Sequence, residues 1–118
     1  MVKPQTLRLC PRGDLDPREV RCVSLERDEQ GRPREALVLL DERGEVRAYL
    51  NRCEHLPIPL DAGSREFLTE DGAHLRCGTH GALFRREDGL CVLGPCKDES
   101  LLALPIRIAA DGWVELIE

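Results

Sequence analysis

Two short motifs in the chain bring together side chains that bind metals. Cys53-Glu54-His55 places a cysteine two positions before a histidine, and Cys77-Gly78-Thr79-His80 places them three positions apart. Twenty-one residues separate His55 from Cys77. Because thiolates and imidazoles bind zinc and iron in proteins, the two motifs predict a metal centre with two sulfur and two nitrogen ligands.

Two kinds of metal centre fit this ligand set. A single Zn²⁺ could bind all four side chains in a tetrahedron. A 2Fe–2S cluster could instead bind both thiolates at one iron and both imidazoles at the other. Structural zinc sites usually pair like ligands, whereas here each motif supplies one cysteine and one histidine. This spacing favours two loops that hold an extended cluster from both sides, and zinc stays open as the alternative.

The motifs and their surroundings resemble the Rieske iron–sulfur family. The resemblance covers most of the chain from about residue 36 onward and, more loosely, the strands before it. The gap between the two motifs is longer than is usual in that family, and an inserted hairpin from Phe67 to Leu75 would account for it. The matching residues are Cys53-x-His55, Cys77-x-x-His80-Gly81, Phe84, Asp88-Gly89, Gly94-Pro95 and Asp111-Gly112-Trp113-Val114.

The resemblance implies one 2Fe–2S cluster as the cofactor and one-electron transfer as the activity. Cys53 and Cys77 would hold the buried iron, and His55 and His80 would hold the outer iron near solvent. It implies no catalytic residue, so we expect an electron-carrier component rather than a complete enzyme.

The resemblance also implies a low reduction potential. High-potential members of the family carry a disulfide between the cluster loops, but the matching positions here are Ile58 and Thr79. They also carry hydroxyl groups that donate to the cluster, where this chain has Ala82 and Phe84. With fewer hydrogen bonds to stabilise the extra negative charge of the reduced cluster, we expect about −150 mV rather than about +300 mV.

These features favour a soluble Rieske-type ferredoxin that carries electrons from a flavin-type reductase to an oxygenase or other redox protein. The sequence contains no Gly-rich phosphate loop and no dinucleotide fingerprint, so a separate reductase would be needed upstream. Two alternatives remain: a zinc-stabilised binding module with the same four ligands, and a regulatory redox sensor that keeps the cluster.

The elements that position the motifs are predicted to be short strands. No window sustains a helical apolar period, and turn residues recur at short intervals, which favours an all-β fold, either a sandwich or a barrel. The resemblance implies a Rieske-like antiparallel β sandwich, and we expect a single domain over residues 1–118 with a small cluster-binding subdomain within about 52–96. The predicted strands are Thr6–Cys10, Val20–Leu25, Ala36–Leu40, Val46–Leu50, Phe67–Leu68, Ala73–Arg76, Ala82–Arg85, Leu90–Leu93, Ile106–Ala109 and Trp113–Ile117.

Composition excludes several other classes. The 118 residues carry 17 basic and 22 acidic side chains, a net charge of −5, so we expect no nucleic-acid partner. The longest aliphatic run, Ala36–Leu40, is far shorter than the ~20 residues of a membrane-spanning helix. The first residues contain no apolar segment of the secretory type, so the expected location is the cytoplasm.

Other residues with reactive or charged side chains are given structural interpretations. Cys10 and Cys22 lie in predicted strands and are expected in or near the core. Cys91 and Cys96 flank Gly94-Pro95, and we expect small apolar residues there rather than a disulfide. The remaining set is interpreted as surface or packing residues: His74 at the surface, Arg76, Arg85 and Arg86 as solvated strand positions, and Trp113 as a core residue.

Overall fold

The computed structural model describes residues 6–27, 29–52, 67–77, 81–94 and 99–117. These residues form nine strands and one turn of 3-10 helix, Arg12–Asp14. The strands are β1 (Thr6–Pro11), β2 (Arg21–Leu25), β3 (Arg34–Leu40), β4 (Val46–Leu50), β5 (His74–Arg76), β6 (Leu83–Arg85), β7 (Cys91–Leu93), β8 (Ile106–Ile108) and β9 (Trp113–Ile117).

The strands make three antiparallel sheets of three strands each. Sheet A has the order β1-β9-β8, sheet B the order β2-β3-β4, and sheet C the order β5-β6-β7. Sheets B and C connect strands that follow one another in sequence, whereas sheet A brings the two ends of the chain together. The predicted all-β antiparallel fold is confirmed.

Strand β3 is the centre of the molecule because both of its faces are buried. Ala36 and Val38 pack in one core with residues of sheet A, and Leu37 and Leu39 pack in a second core with residues of sheet C. Successive side chains of a strand point to opposite faces, so a strand covered on both sides requires an unbroken apolar sequence. This requirement explains the aliphatic run from Ala36 to Leu40.

Turn residues fix the hairpins where the sequence predicts them. Between β3 and β4 the Asp41 N–H donates to the Glu45 carbonyl at 2.8 Å, and Gly44 has a positive φ of 79°. Between β8 and β9 the Ala109 N–H donates to the Trp113 carbonyl at 2.8 Å. Between β1 and β2 the 3-10 turn Arg12–Asp14 is followed by a turn in which the Glu19 N–H donates to the Asp16 carbonyl at 3.0 Å.

The segment from Phe67 to Leu75 forms the predicted hairpin, and the Thr69 N–H donates to the His74 carbonyl at 3.0 Å. Leu68 pairs with Leu75 through an isolated bridge, so the two arms do approach each other. However, Leu75 also pairs with Phe84, which makes the second arm a strand of sheet C. The predicted insertion therefore shares a strand with the sheet that leads to Cys77.

Trp113 does not have its predicted place in the core. It is half-buried, and the Arg8 guanidinium carbon lies 4.7 Å from the centre of its ring, in cation–π contact. The predictions for two cysteines are confirmed, since Cys10 is buried and Cys22 is half-buried. No helix within the described ranges is long and apolar enough to cross a membrane.

Candidate metal centre

One of the four predicted metal ligands, Cys77, lies in the described part of the chain. Cys53, His55 and His80 lie outside the described residues. Cys77 directly follows β5 and is fully buried, with 0% of its surface exposed. A cysteine at the end of a buried strand is held in place by the sheet, which suits a metal ligand better than a mobile surface position does.

Backbone hydrogen bonds fix the connection from β5 to β6 at its two ends. The Cys77 N–H donates to the Ala82 carbonyl at 2.8 Å, and the Gly81 N–H donates to the Cys77 carbonyl at 2.8 Å. Gly81 has a φ of +70°, a conformation that residues with a Cβ adopt only with strain. The glycine after the second motif therefore allows the chain to return to the sheet within a few residues.

The segment that follows β7 packs directly on this connection. Gly94 has a φ of +109°, and a Cβ built there would lie 2.8 Å from the Ala82 Cα and 3.0 Å from the Ala82 Cβ. Only glycine permits two backbones to approach this closely. The contact places the Gly94 backbone against the same residue that accepts the hydrogen bond from Cys77.

The inner face of sheet C is apolar around the predicted ligand. Ala82 and Phe84 are both fully buried, and neither carries a hydroxyl group. Phe84 pairs with Leu75 on β5 and with Cys91 on β7. The side chains of this face are therefore Leu75, Cys77, Ala82, Phe84 and Cys91, all in one core cluster.

Arg86 corrects one of the sequence interpretations. It was expected as a solvated strand residue, yet it is 7% exposed. Its Nη1 donates to the Gly72 carbonyl at 2.7 Å, and its Nη2 donates to the carbonyls of Pro17 and Leu40. Arg86 thus ties together three segments that surround sheet C, whereas Arg85 is partly exposed and forms an ion pair with Asp88.

Tyr49 reinforces the same region from sheet B. Its hydroxyl donates to the Arg86 carbonyl at 2.7 Å, and burial raises the pKa of the phenol. A Cβ on Gly89 would lie 2.9 Å from the Tyr49 Cε1, so the ring packs directly on the β6–β7 turn. The Asp88-Gly89 pair is visible in the sequence, but its contact with Tyr49 is not, because 39 residues separate Tyr49 from Gly89.

The described residues fit a 2Fe–2S cluster. A buried thiol is the ligand that an iron–sulfur cluster takes from protein, and the apolar side chains beside it limit access of water. Within the described ranges, no group of three or more His, Cys, Asp or Glu side chains could hold a metal ion by itself. The other three predicted ligands, Cys53, His55 and His80, lie outside the described residues.

Comparison with known proteins agrees with this assignment. A family model for the Rieske [2Fe-2S] domain matches residues 5–109. A search of curated proteins gives no match.

Several solved structures share the fold at low sequence identity. A ferredoxin of carbazole 1,9a-dioxygenase from Nocardioides aromaticivorans IC177 is 22% identical, with a TM-score of 0.64 over 98% of this chain and 97% of that one. A putative NADH-dependent nitrite reductase small subunit from Mycobacterium tuberculosis is 17% identical, with a TM-score of 0.63 over 99% of this chain and 97% of that one.

A third neighbour is much longer than this chain. It belongs to the reduced complex between oxygenase and ferredoxin in carbazole 1,9a-dioxygenase and is 18% identical, with a TM-score of 0.71. The alignment covers 95% of this chain but only 28% of that one. Because the family model spans nearly the whole sequence, the chain belongs to the Rieske [2Fe-2S] domain family, with a single 2Fe–2S cluster as its cofactor.

Proposed function

We propose that this protein is a low-potential electron carrier that receives one electron from a flavin-type reductase and delivers it to an oxygenase. Cys53 and Cys77 bind the buried iron, and His55 and His80 bind the outer iron. The whole chain acts as one domain, with the cluster-binding part within about residues 52–96. When bound, the cluster accepts and releases one electron at a time.

The observation that carries the proposal is the buried Cys77 at the end of β5, inside the region matched by the Rieske family. The Cys77 N–H donates to the Ala82 carbonyl, and Gly94 packs against Ala82. An oxygenase as the acceptor is supported by the solved neighbours, which include a ferredoxin of a dioxygenase and a complex of oxygenase with ferredoxin.

The side chains near Cys77 support the proposed low potential. Ala82 and Phe84 present a methyl group and a phenyl ring, and neither can donate an O–H hydrogen bond. Hydrogen bonds to cluster sulfur stabilise the reduced state and raise the potential. The other two positions used in the sequence argument, Ile58 and Thr79, lie outside the described residues.

A redox titration of the purified protein tests the proposal. We expect the absorption of a 2Fe–2S protein, two irons and two acid-labile sulfides per chain, and a midpoint near the low end of the Rieske range, about −150 mV. Ala82→Ser and Phe84→Tyr each add a hydroxyl beside the predicted ligand, so both should raise the midpoint. Ala48→Ser makes the same change in the other core, where Ala48 is 3% exposed, and should leave it unchanged.

Two results would contradict the proposal. A midpoint well above about +100 mV would refute the low potential. Stoichiometric zinc with no iron would refute the electron carrier altogether.

The acceptor requires a separate experiment. The dithionite-reduced protein should be reoxidised faster by the oxygenase component of carbazole 1,9a-dioxygenase than by dissolved oxygen alone, as followed by stopped-flow absorbance. No acceleration, together with binding to a non-redox protein that depends on the cluster's oxidation state, would favour a redox sensor instead.

A further inference from the structure

The pairing of β7 with β6 is irregular just before Gly94. Leu83 pairs with Leu93 and Phe84 pairs with Cys91, so the register shifts by one residue and Val92 is left over on β7. This is a β-bulge, which interrupts the ladder of backbone hydrogen bonds and bends the strand. The interruption lies just before Gly94, the residue that packs on Ala82.

The thiol of Cys91 spans this bulge. Cys91 is 1% exposed, and its Sγ donates a hydrogen bond to the Leu93 carbonyl at 3.2 Å. Its backbone N–H donates to the Glu99 carbonyl at 2.7 Å. Cys91 therefore holds the chain at two places: its backbone N–H bonds the Glu99 carbonyl, and its thiol bonds the Leu93 carbonyl.

A chain of short contacts leads from this thiol to the predicted ligand. The Leu93 carbonyl belongs to the peptide that continues into Gly94. A Cβ at Gly94 would lie 2.8 Å from the Ala82 Cα, and the Ala82 carbonyl accepts the Cys77 N–H at 2.8 Å. A displacement of the Leu93 peptide is therefore passed to Ala82 and then to the backbone of Cys77, because close-packed groups transmit strain.

We propose that Cys91 is a positioning residue whose thiol hydrogen bond to Leu93 holds Gly94 against Ala82 and thereby fixes the backbone of the ligand Cys77. This role rests on the proposed function only in taking Cys77 as a cluster ligand. It also explains why a small side chain with a donor suits this position: alanine could fill part of the same space but could not donate to the carbonyl.

Two substitutions separate the hydrogen bond from the packing. Cys91→Ser keeps a donor in a slightly smaller side chain, whereas Cys91→Ala has nearly the volume of serine and loses the donor. Cys10, a second buried cysteine at 3% exposure in the core between sheets A and B, provides the matched controls Cys10→Ser and Cys10→Ala.

The expected result is a difference between the two Cys91 variants in the intact, cluster-containing protein. Cys91→Ala should speed hydrogen exchange several-fold in peptides covering Cys77 and Gly81, broaden the electron paramagnetic resonance spectrum of the reduced protein and shift its midpoint. Cys91→Ser should stay close to the original protein in all three measurements. Both Cys10 variants should lower thermal stability without changing the spectrum or the exchange near Cys77.

Two patterns would overturn the inference. If Cys91→Ala and Cys91→Ser are perturbed equally, the residue acts through packing. If neither variant changes exchange near Cys77, the thiol has no positioning role. An original protein with no iron–sulfur spectrum would refute the proposed function instead, and the exchange comparison between the two variants would still decide the role of Cys91.

Discussion

Gly94 has no side chain, so its backbone can lie against Ala82, whose carbonyl accepts the hydrogen bond from the Cys77 N–H. Its φ of +109° and the 2.8 Å distance from a built Cβ to the Ala82 Cα are separate constraints. The first concerns the local backbone, and the second concerns the backbone of Ala82, the residue just before β6. Any larger residue would violate both, so the cost of substitution should exceed the usual cost of a left-handed residue.

Gly94→Ala is therefore expected to lower the free energy of unfolding by more than the ~1–2 kcal/mol of an unfavourable φ alone. It should also alter the visible circular dichroism of the cluster, because the chain must move away from Ala82. Urea unfolding and visible circular dichroism measure the two effects.

Gly31→Ala is the control for that substitution. Gly31 has a φ of +77° and nothing within 4 Å of a built Cβ, so it isolates the backbone strain. It should destabilise the protein modestly and leave the visible spectrum unchanged. Equal effects of the two substitutions would mean that the contact with Ala82 is unimportant.

Arg85 and Arg86 show what a sequence cannot reveal about neighbouring residues of the same type. Both follow the apolar residues of β6, and both were expected in solvent. Arg86 is buried because the hairpin turns there and three carbonyls, from Pro17, Leu40 and Gly72, converge on its guanidinium. Those acceptors come from distant parts of the chain, and no local pattern encodes their meeting.

Among the elements, β3 lies between the two cores and contributes side chains to both. Leu37 and Val38 are adjacent and both fully buried, yet they belong to different core clusters. Leu37 packs in the cluster that contains Cys77 and Phe84, whereas Val38 packs with Val114 of β9. Substitutions at these two positions should therefore be detected by different probes.

Leu37→Ala is expected to cost about 2–5 kcal/mol of stability and to perturb the visible circular dichroism of the cluster. Val38→Ala, which removes less volume, should cost less and should instead shift the emission of Trp113, the single tryptophan, which lies on β9. Chemical unfolding, visible circular dichroism and tryptophan fluorescence test the pair. Equal changes in the visible spectrum for both variants would show that β3 transmits packing across the sheet.

Strands and turns could be predicted from the sequence because their causes are local. The aliphatic run at β3 and the Gly44, Gly89 and Gly112 turns depend on near neighbours, and the structure confirms each of them. The role of Leu75 was missed because the predicted hairpin and the pairing with Phe84 use the same residues. The four metal ligands were predicted from the spacing of cysteines and histidines, and they remain a prediction. The structure shows that Cys77 is buried and that it shares a core cluster with Ala82 and Phe84.

Across the whole molecule, aspartates that cap turns tie stability to pH. Burial of Asp41 acts to raise its pKa, but hydrogen bonds from the backbone of Glu45 and Arg43 and from the Arg47 side chain together hold that pKa below its ordinary value. The pKa of Asp88 is lowered mainly by Arg85, and that of Asp111 mainly by Arg8. The unfolded chain therefore binds more protons than the folded one in acid.

A depressed folded-state pKa contributes stability that is fully present above the unfolded pKa, about 3.9, and is lost as the pH falls through the folded value. Asp41→Asn should therefore cost about 1–3 kcal/mol near neutral pH, and its difference from the original protein should shrink below about pH 4. Urea unfolding at pH 7, 5 and 3.5 measures this.

Glu42→Gln serves as the comparison, because Glu42 is an exposed acid next to Asp41 in the same turn. It should leave the pH dependence unchanged. A difference between Asp41→Asn and the original protein that stays constant from pH 7 to 3.5 would contradict the assignment of the charge effect to Asp41.

The doubly covered strand has a consequence for the newly synthesised polypeptide. Before sheets A and C pack against the two faces of β3, the segment from Ala36 to Leu40 is a five-residue aliphatic stretch without charge or proline. Segments of this kind start intermolecular aggregation. The sequence brackets it with ionic residues, Arg34-Glu35 on one side and Asp41-Glu42-Arg43 on the other. Such flanking charges discourage chain-to-chain association until the native packing removes the stretch from water.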